Sequence, residues 1–319
     1  MSSQITTPTN SFVVRYPQAV DFATKQLGVF WPPDEIHVDK DTQDILVNLT
    51  PAERHGVITV LKLFSIYEFY IGKEYWNGVV AEWFPRPEIM RMASVFGMFE
   101  LAIHQPFYAK LNEVIGLATD DFYLSYVNDP ILNERMEFIE SLQSKNKATS
   151  LAIFSMLEGC VLYSSFSYLK HFQSRGKNKL VNVVRGINFS VRDEGLHSLA
   201  GAWLCKQYIK EEGLEMPVAE ILEAAEYLRQ HEYRIADMIY EKGKIEGITA
   251  TQQKHFIDSR LNLCLNELGI PSQYEVKYNP IAEWFYDGIN NFQFNDFFQG
   301  QGREYSRDWN EHAFTWDQE

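Results

Sequence analysis

The sequence predicts an all-α protein: a large helical bundle with additional helices and a flexible C-terminal tail. Three observations carry that expectation. Long stretches of the 319-residue chain repeat apolar residues at helical spacing. The 12 prolines punctuate rather than pervade, falling mainly at Pro8, Pro17, Pro32, Pro33, Pro51, Pro85, Pro87, Pro130, Pro217, Pro271 and Pro280, so long intervals stay free for helix. Strand signals are weak, because no repeated alternation is bounded by hairpin dipeptides.

The elements follow in order. Thr50-Pro51-Ala52-Glu53 is a strong helix start: Thr50 caps, Pro51 suits the first turn and Glu53 completes a capping box. That helix is expected to run to about Glu82 and stop before Pro85. A second starts near Pro87 and carries Glu100; a third spans about Pro130 to Ser144. Further helices are expected over Ala148–Gln173, Lys179–Tyr208, Pro217–Lys244 and Thr251–Leu268. Only Pro106 interrupts a helical pattern. From Asn290 to Glu319 the chain is rich in Asn, Gln, Asp, Gly and aromatics without a helical period, which reads as a mobile tail. Its Tyr305, Trp309, Phe314 and Trp316 are costly to leave in water, which points to a docking peptide.

Composition narrows the function. The net charge of −14, with no long Lys/Arg run, argues against nucleic acid and anionic membranes as partners. The three cysteines, Cys160, Cys205 and Cys264, form no C-x-x-C and suggest a reducing compartment. The polar N-terminus lacks a charged-then-apolar signal pattern, and no run of about 18 apolar residues is read as a membrane span. The expected location is cytoplasmic.

Four Glu and two His then recur in a fixed order, each in an apolar, helix-patterned stretch: Glu68, Glu100 with His104, Glu158, Glu194 with His197. A Glu from each of two helices, plus a Glu/His pair from each of two others, is the ligand set of a di-iron or di-manganese bundle. Carboxylates on inward faces need cations, because desolvating a lone charge costs far more than a fold can spare. Glu194 and His197, three apart, share a helix face. Glu68 is preferred over Glu74 and Glu82, which stand in more polar surroundings. Glu100 and His104 are four apart. Pro106 lacks an N–H to bond the carbonyl of Ala102, so the helix is expected to distort here, and a π-bulge would absorb the extra residue. An oxygen-rich, thiolate-free set favours iron or manganese over zinc or copper(I).

From about Gln26 to the C-terminus the chain resembles the small, radical-generating subunit of class I ribonucleotide reductase. The residues that carry the resemblance are Phe30-Trp31-Pro-Pro-Asp-Glu-Ile, Leu49-Thr-Pro-Ala-Glu-Arg, Phe297-Phe through Gly302-Arg-Glu-Tyr305, Ala313-Phe-Thr-Trp-Asp and, most specific, Arg192-Asp-Glu-Gly-Leu-His197. The resemblance implies a ferritin-like dimetal-carboxylate domain over residues 1–289, with 1–25 as an N-terminal extension, and a tail over 290–319 that docks the large subunit. It implies two metal ions per chain, one held by Glu68, Glu100 and His104 and the other by Glu158, Glu194 and His197, with Glu100 and Glu158 spanning the two. Iron–iron is the first expectation; manganese–manganese and manganese–iron centres use similar ligands. Tyr108, four residues beyond His104, stands where the family places its radical tyrosine, with Phe166 and Leu162 lining an apolar pocket. Trp31 and Asp193 would belong to the electron and proton path, with His104 linking it to the metal. Tyr305 would carry the radical to the large subunit, and Phe314 and Trp316 would anchor the tail. A homodimer is implied. Two departures bear on the metal: Glu68 stands where many members have Asp, and the Glu100–His104 pair has one more intervening residue than the common pattern.

An autonomous dimetal oxidase or hydroxylase on the same bundle would use the same ligands, since sites rather than folds decide function. A metal-storage bundle is a second rival. Tyr108 and the aromatic tail argue against both.

Overall fold

The computed structural model describes residues 4–142 and 146–290. Among the described residues the chain is helical and has no strand; the one extended pairing is an isolated bridge between Ile245 and Ile248. The expected segments from residue 50 to residue 268 all form helices close to the predicted bounds.

Helix α1 spans Pro17–Gly28. Helix α2 starts with the expected capping box, Glu53 N donating to Thr50 Oγ1 at 3.2 Å and Thr50 N donating to Glu53 Oε2 at 2.8 Å. It runs over Pro51–Tyr70, widens into a π-helical stretch Ile71–Val80 and closes with Ala81–Trp83. Helix α3 covers Pro87–Phe99, a π turn Glu100–His104 and then Gln105–Val114. The widened turn expected before Pro106 is therefore present, and it falls on the two residues whose spacing asked for it.

After two single-turn helices, α4 spans Pro130–Ser141, capped by Asp129, whose Oδ1 accepts from the amides of Ile131 and Leu132. Helix α5 runs Lys147–Met156, a π turn Leu157–Val161 and Leu162–Lys170, with Asn146 Oδ1 accepting from Thr149 N at 2.8 Å. Helix α6, Val181–Glu212, is regular throughout. Its first amides are satisfied from a distant loop: Val183 N donates to Asp41 Oδ2 at 2.6 Å and Leu180 N to Asp44 Oδ2 at 2.9 Å. Gly213, at φ +65°, ends it in the left-handed conformation that glycine tolerates best. Helices α7 (Val218–Tyr240), α8 (Ala250–Glu267, capped by Thr249 and Gln252) and α9 (Pro280–Asn290) complete the set.

Helices α2 and α3 pack together, as do α5 and α6, and these four enclose the centre of the bundle. α7 and α8 pack on each other and cover α2 and α5, α1 crosses α3 and α6, and α9 lies against α8, α6 and α5. The stretch Lys147–Gln173 is long and apolar enough to cross a membrane by length and composition, with a mean hydropathy of 1.3 in its most apolar window. This corrects the expectation that no such run exists. The whole window is buried inside the fold, because α5 is the central helix and has neighbours on every side; a helix apolar all round is what such a position selects.

Two helices were not anticipated. α1 lies mostly in the segment read as an extension, yet Ala19, Phe22, Ala23 and Gln26 are buried on one face. α9 lies between the last expected helix, ending near Leu268, and the expected tail from Asn290. The tail residues Tyr305, Trp309, Phe314 and Trp316 lie outside the described residues.

Candidate metal centre

All six expected ligand residues converge. Glu68, Glu100, His104, Glu158, Glu194 and His197 are each 0% exposed. α2 contributes Glu68, α3 contributes Glu100 and His104 from its π turn, α5 contributes Glu158 from its π turn, and α6 contributes Glu194 and His197. Glu74, the competitor on α2, is 38% exposed at its side chain.

Ligand atoms of Glu68, Glu100, His104 and Glu194 lie within 4.8 Å of one another, and so do those of Glu100, Glu158, Glu194 and His197. The shared pair is Glu100 and Glu194. Each gives one oxygen to each imidazole: His104 Nδ1 lies 2.9 Å from Glu100 Oε2 and 3.0 Å from Glu194 Oε1, while His197 Nδ1 lies 2.7 Å from Glu100 Oε1 and 3.0 Å from Glu194 Oε2. Glu158 joins only the second group, whereas Glu194 reaches both histidines, so Glu194 stands in both groups where Glu158 was expected to.

The lone pairs aim at a common space rather than at donors. Glu68 Oε1 and Oε2, Glu100 Oε1, Glu158 Oε2 and Glu194 Oε1 are buried with no hydrogen-bond partner. The short contacts of Glu100 Oε1 and Glu194 Oε1 to the imidazoles are thus close approaches off the hydrogen-bond direction. Buried carboxylate oxygens left unpaired are costly unless a cation takes them, so this donor set fits two oxygen-seeking metal ions.

Electrostatics agree. Burial, and then the neighbouring Glu100, push Glu68 well above the usual carboxylate range; burial, Glu194 and Glu100 do the same to Glu158. Burial opposes ionisation of Glu100, but His104 and His197 outweigh it and hold its pKa well below the usual range. His197 is pushed up to about 9: burial works downward, and Glu100 and Glu194 overcome it. Carboxylates crowded in a dry cavity draw positive charge to themselves, whether protons or metal.

Outer contacts orient these ligands. His104 Nε2 lies 3.2 Å from the Asp193 carboxylate oxygen Oδ2 and donates to it, which turns Nδ1 toward the carboxylates. Trp31 Nε1 donates to the same oxygen at 2.7 Å, and Arg192 holds Asp193 Oδ1 at 3.1 Å while also donating to Val29 O. The structure thus brings Trp31, Asp193 and His104 together. It also shows a residue the sequence reading missed: Trp76 Nε1 donates to Glu158 Oε1 at 2.9 Å. The available signal was a tryptophan on the helix of Glu68, since a buried indole N–H needs an acceptor.

Tyr108 is 1% exposed and its hydroxyl donates to Ser190 Oγ at 3.3 Å. Its ring stacks on Phe64 (centroids 4.4 Å apart), which in turn packs on Phe166 at 5.3 Å. Phe64 and Ser190 were not anticipated; Phe166 and Leu162 are buried as expected. Burial, with the charge of Glu68 next, raises the phenol pKa well above 10.0, so Tyr108 is a neutral phenol. A cavity of about 450 Å³, lined by Phe64, Gln105, Tyr108, Ala109, Tyr123, Leu124 and Tyr126, reaches this ring from outside.

Four helices, two groups of buried ligands and a shared pair of carboxylates define the class: a helical bundle with a carboxylate–histidine site suited to two metal ions. Known proteins give the same answer. The family described as ribonucleotide reductase, small chain, matches residues 8–280. A ribonucleoside-diphosphate reductase small subunit of Dictyostelium discoideum is 25% identical over 93% of this chain and 86% of its own. The R2 subunit of ribonucleotide reductase from Clostridium botulinum has a similar fold, with a TM-score of 0.72 and 21% identity over 86% of this chain and 88% of its own. The dimanganese(II) NrdF of Streptococcus sanguinis also scores 0.72, at 19% identity over 89% of this chain and 99% of its own. This chain belongs to the ribonucleotide reductase small-chain family. Its function is that of a ribonucleoside-diphosphate reductase small subunit, an oxidoreductase component in a family known for a dimetal centre and radical generation.

Proposed function

We propose that Glu68, Glu100, His104 and Glu194 hold one metal ion, that Glu100, Glu158, Glu194 and His197 hold the other, and that Tyr108 carries the stored radical. The observation that carries this reading is the pairing of two buried ligand groups with a buried phenol four residues past His104 on the same helix. Two such ions, iron or manganese, supply a one-electron oxidant when bound. A dimanganese relative makes manganese a live choice beside iron.

The rest is the work of this chain's residues. Tyr108 offers a neutral phenol, oriented by its hydrogen bond to Ser190. Phe64 and Phe107 pack on it and Phe166 backs Phe64, rings that provide no proton donor. Asp193 holds the His104 and Trp31 N–H groups on one oxygen, linking the ligand shell to the indole. Trp31 then passes the oxidising equivalent outward, Tyr305 relays it, and Phe314 and Trp316 anchor the tail on the large subunit, where the ribonucleotide is reduced. The chain works in the cytoplasm as a homodimer and holds no nucleotide at its own site.

Tyr108→Phe is the test. The variant should load two ions per chain yet show no tyrosyl signal by electron paramagnetic resonance; a surviving signal moves the radical elsewhere. Deleting residues 314–319 should leave the radical intact and abolish turnover with the large subunit.

A further inference from the structure

We propose that Arg260 is a positioning residue for Glu158 and that, through Tyr286, it ties the ligand-bearing turn of α5 to the helix that leads into the tail. Arg260 sits on α8 and is 7% exposed. Its Nε donates to Gly159 O at 2.7 Å, the carbonyl next to Glu158 in the widened turn. A π turn shifts amide partners along the chain and frees carbonyls to accept from outside the helix. Its Nη1 donates to Tyr286 Oη on α9 at 3.0 Å. Its guanidinium carbon lies 3.7 Å from the ring centroid of Tyr163, whose hydroxyl donates to Val191 O on α6 at 2.7 Å. One buried cation thus touches α5 twice and α9 once, and reaches α6 through a tyrosine.

Two further observations support a tight coupling. A Cβ at Gly159 would run into the Ser198 hydroxyl and come within 2.7 Å of Cys264 Sγ, so the turn is pressed onto α6 and α8 and has no slack. A second buried basic group, the Lys170 amine of α5, sits 4.6 Å from the ring centroid of Phe285, the neighbour of Tyr286. Two successive aromatics at the root of the tail are therefore seated on buried basic side chains, one of them on the Glu158 helix itself. The planar fork of Arg260 makes its two directed bonds at once, which a lysine would not reproduce.

The inference rests on Glu158 being a metal ligand. It is tested on the full-length small subunit alone, by titrating Mn(II) into the wild type, Arg260→Lys, Tyr286→Phe and the double variant, with binding followed calorimetrically and by Mn(II) electron paramagnetic resonance. Arg260→Lys should weaken the Glu158-containing site about tenfold, the usual effect of removing a partner behind a ligand. The other site should be unchanged, and the spin-coupled Mn(II) spectrum should differ. Tyr286→Phe should weaken the same site less, and the double variant should be no worse than Arg260→Lys, because Tyr286 acts through Arg260. Wild-type affinities and spectra in both single variants overturn the proposal, even if their melting temperatures fall. Should Arg260→Lys not fold, Tyr286→Phe decides alone by the same criterion. A wild type that binds no Mn(II) or Fe(II) overturns the dimetal reading itself, a result distinct from two loaded sites insensitive to Arg260.

Discussion

Trp31 and His104 are joined through a single oxygen atom: both ring N–H groups point at Asp193 Oδ2, from 2.7 and 3.2 Å, and the two rings stack with centroids 5.9 Å apart. The ligand shell and the indole are therefore one hydrogen-bonded unit, fixed on its far side by Arg192. Because Asp193 accepts from both, it sets the protonation of His104 as well as linking it to Trp31.

Asp193→Asn tests that double role. An amide turned with its NH2 toward His104 makes Nε2 the acceptor and fixes the imidazole proton on Nδ1, the nitrogen that a metal would take. Affinity at the His104-containing group should fall about 10- to 100-fold. Trp31→Phe removes the indole N–H without reversing the tautomer. It should keep metal and radical and lose reductase turnover, measured by comparing spin count with deoxyribonucleotide formation.

The shared carboxylate makes a stoichiometric prediction. Glu194 belongs to both ligand groups and Glu158 to one. Glu194→Ala should abolish loading at both groups, whereas Glu158→Ala should retain one ion per chain by elemental analysis. Full loading of either variant would remove that residue from the ligand set.

Phe64 closes the ring face of Tyr108 and also lines the outer cavity. Truncating it to alanine would widen that cavity over the Tyr108 ring. The expected cost is about 3–5 kcal/mol of stability, seen as a lower denaturant midpoint. Small reductants should also quench the tyrosyl signal faster than in the wild type, and an unchanged decay rate would show that the cavity is no route to Tyr108.

His171 and His231 predict acid sensitivity away from the metal site. Burial lowers both to about 3; for His231 the nearby Arg135 adds to it. A histidine whose folded pKa is depressed contributes stability that is complete above its unfolded value of about 6.5 and is lost as pH falls toward the folded one. Melting temperature should therefore drop between pH 6.5 and 3. His231 Nε2 bonds Ile131 O at 2.7 Å, a bond that glutamine can supply without titrating, so His231→Gln should flatten part of that drop.

Much of this was legible in the residues themselves. Thr50, Pro51 and Glu53 announced α2, and Pro106 with the Glu100–His104 spacing announced a widened turn, because both signals are local and chemical. α1 was missed because its buried face, Ala19, Phe22 and Ala23, spans little more than one turn and gains meaning only against α3 and α6. α9 was missed because in its 11 residues the adjacent Trp284, Phe285 and Tyr286 show no clear helical spacing on their own. Trp76, Ser190 and Phe64 were missed for another reason: their roles depend on contacts with residues 44 to 102 positions away, which no periodicity records. The same limit explains why Glu158 was favoured over Glu194 as the bridge. Both stand on inward faces, and only the packing of α5 against α6 decides which reaches the second histidine.

The widened turn in α3 governs more than its own five residues. In an ordinary helix each residue adds about 100° of rotation, and the widened turn is what takes up the extra position between Glu100 and His104. Were the same five residues wound as ordinary α-helix, the rest of α3 would swing around its axis, carrying His104, Phe107 and Tyr108 off their present bearings together. Imidazole, phenol and aromatic shield thus share one angular setting.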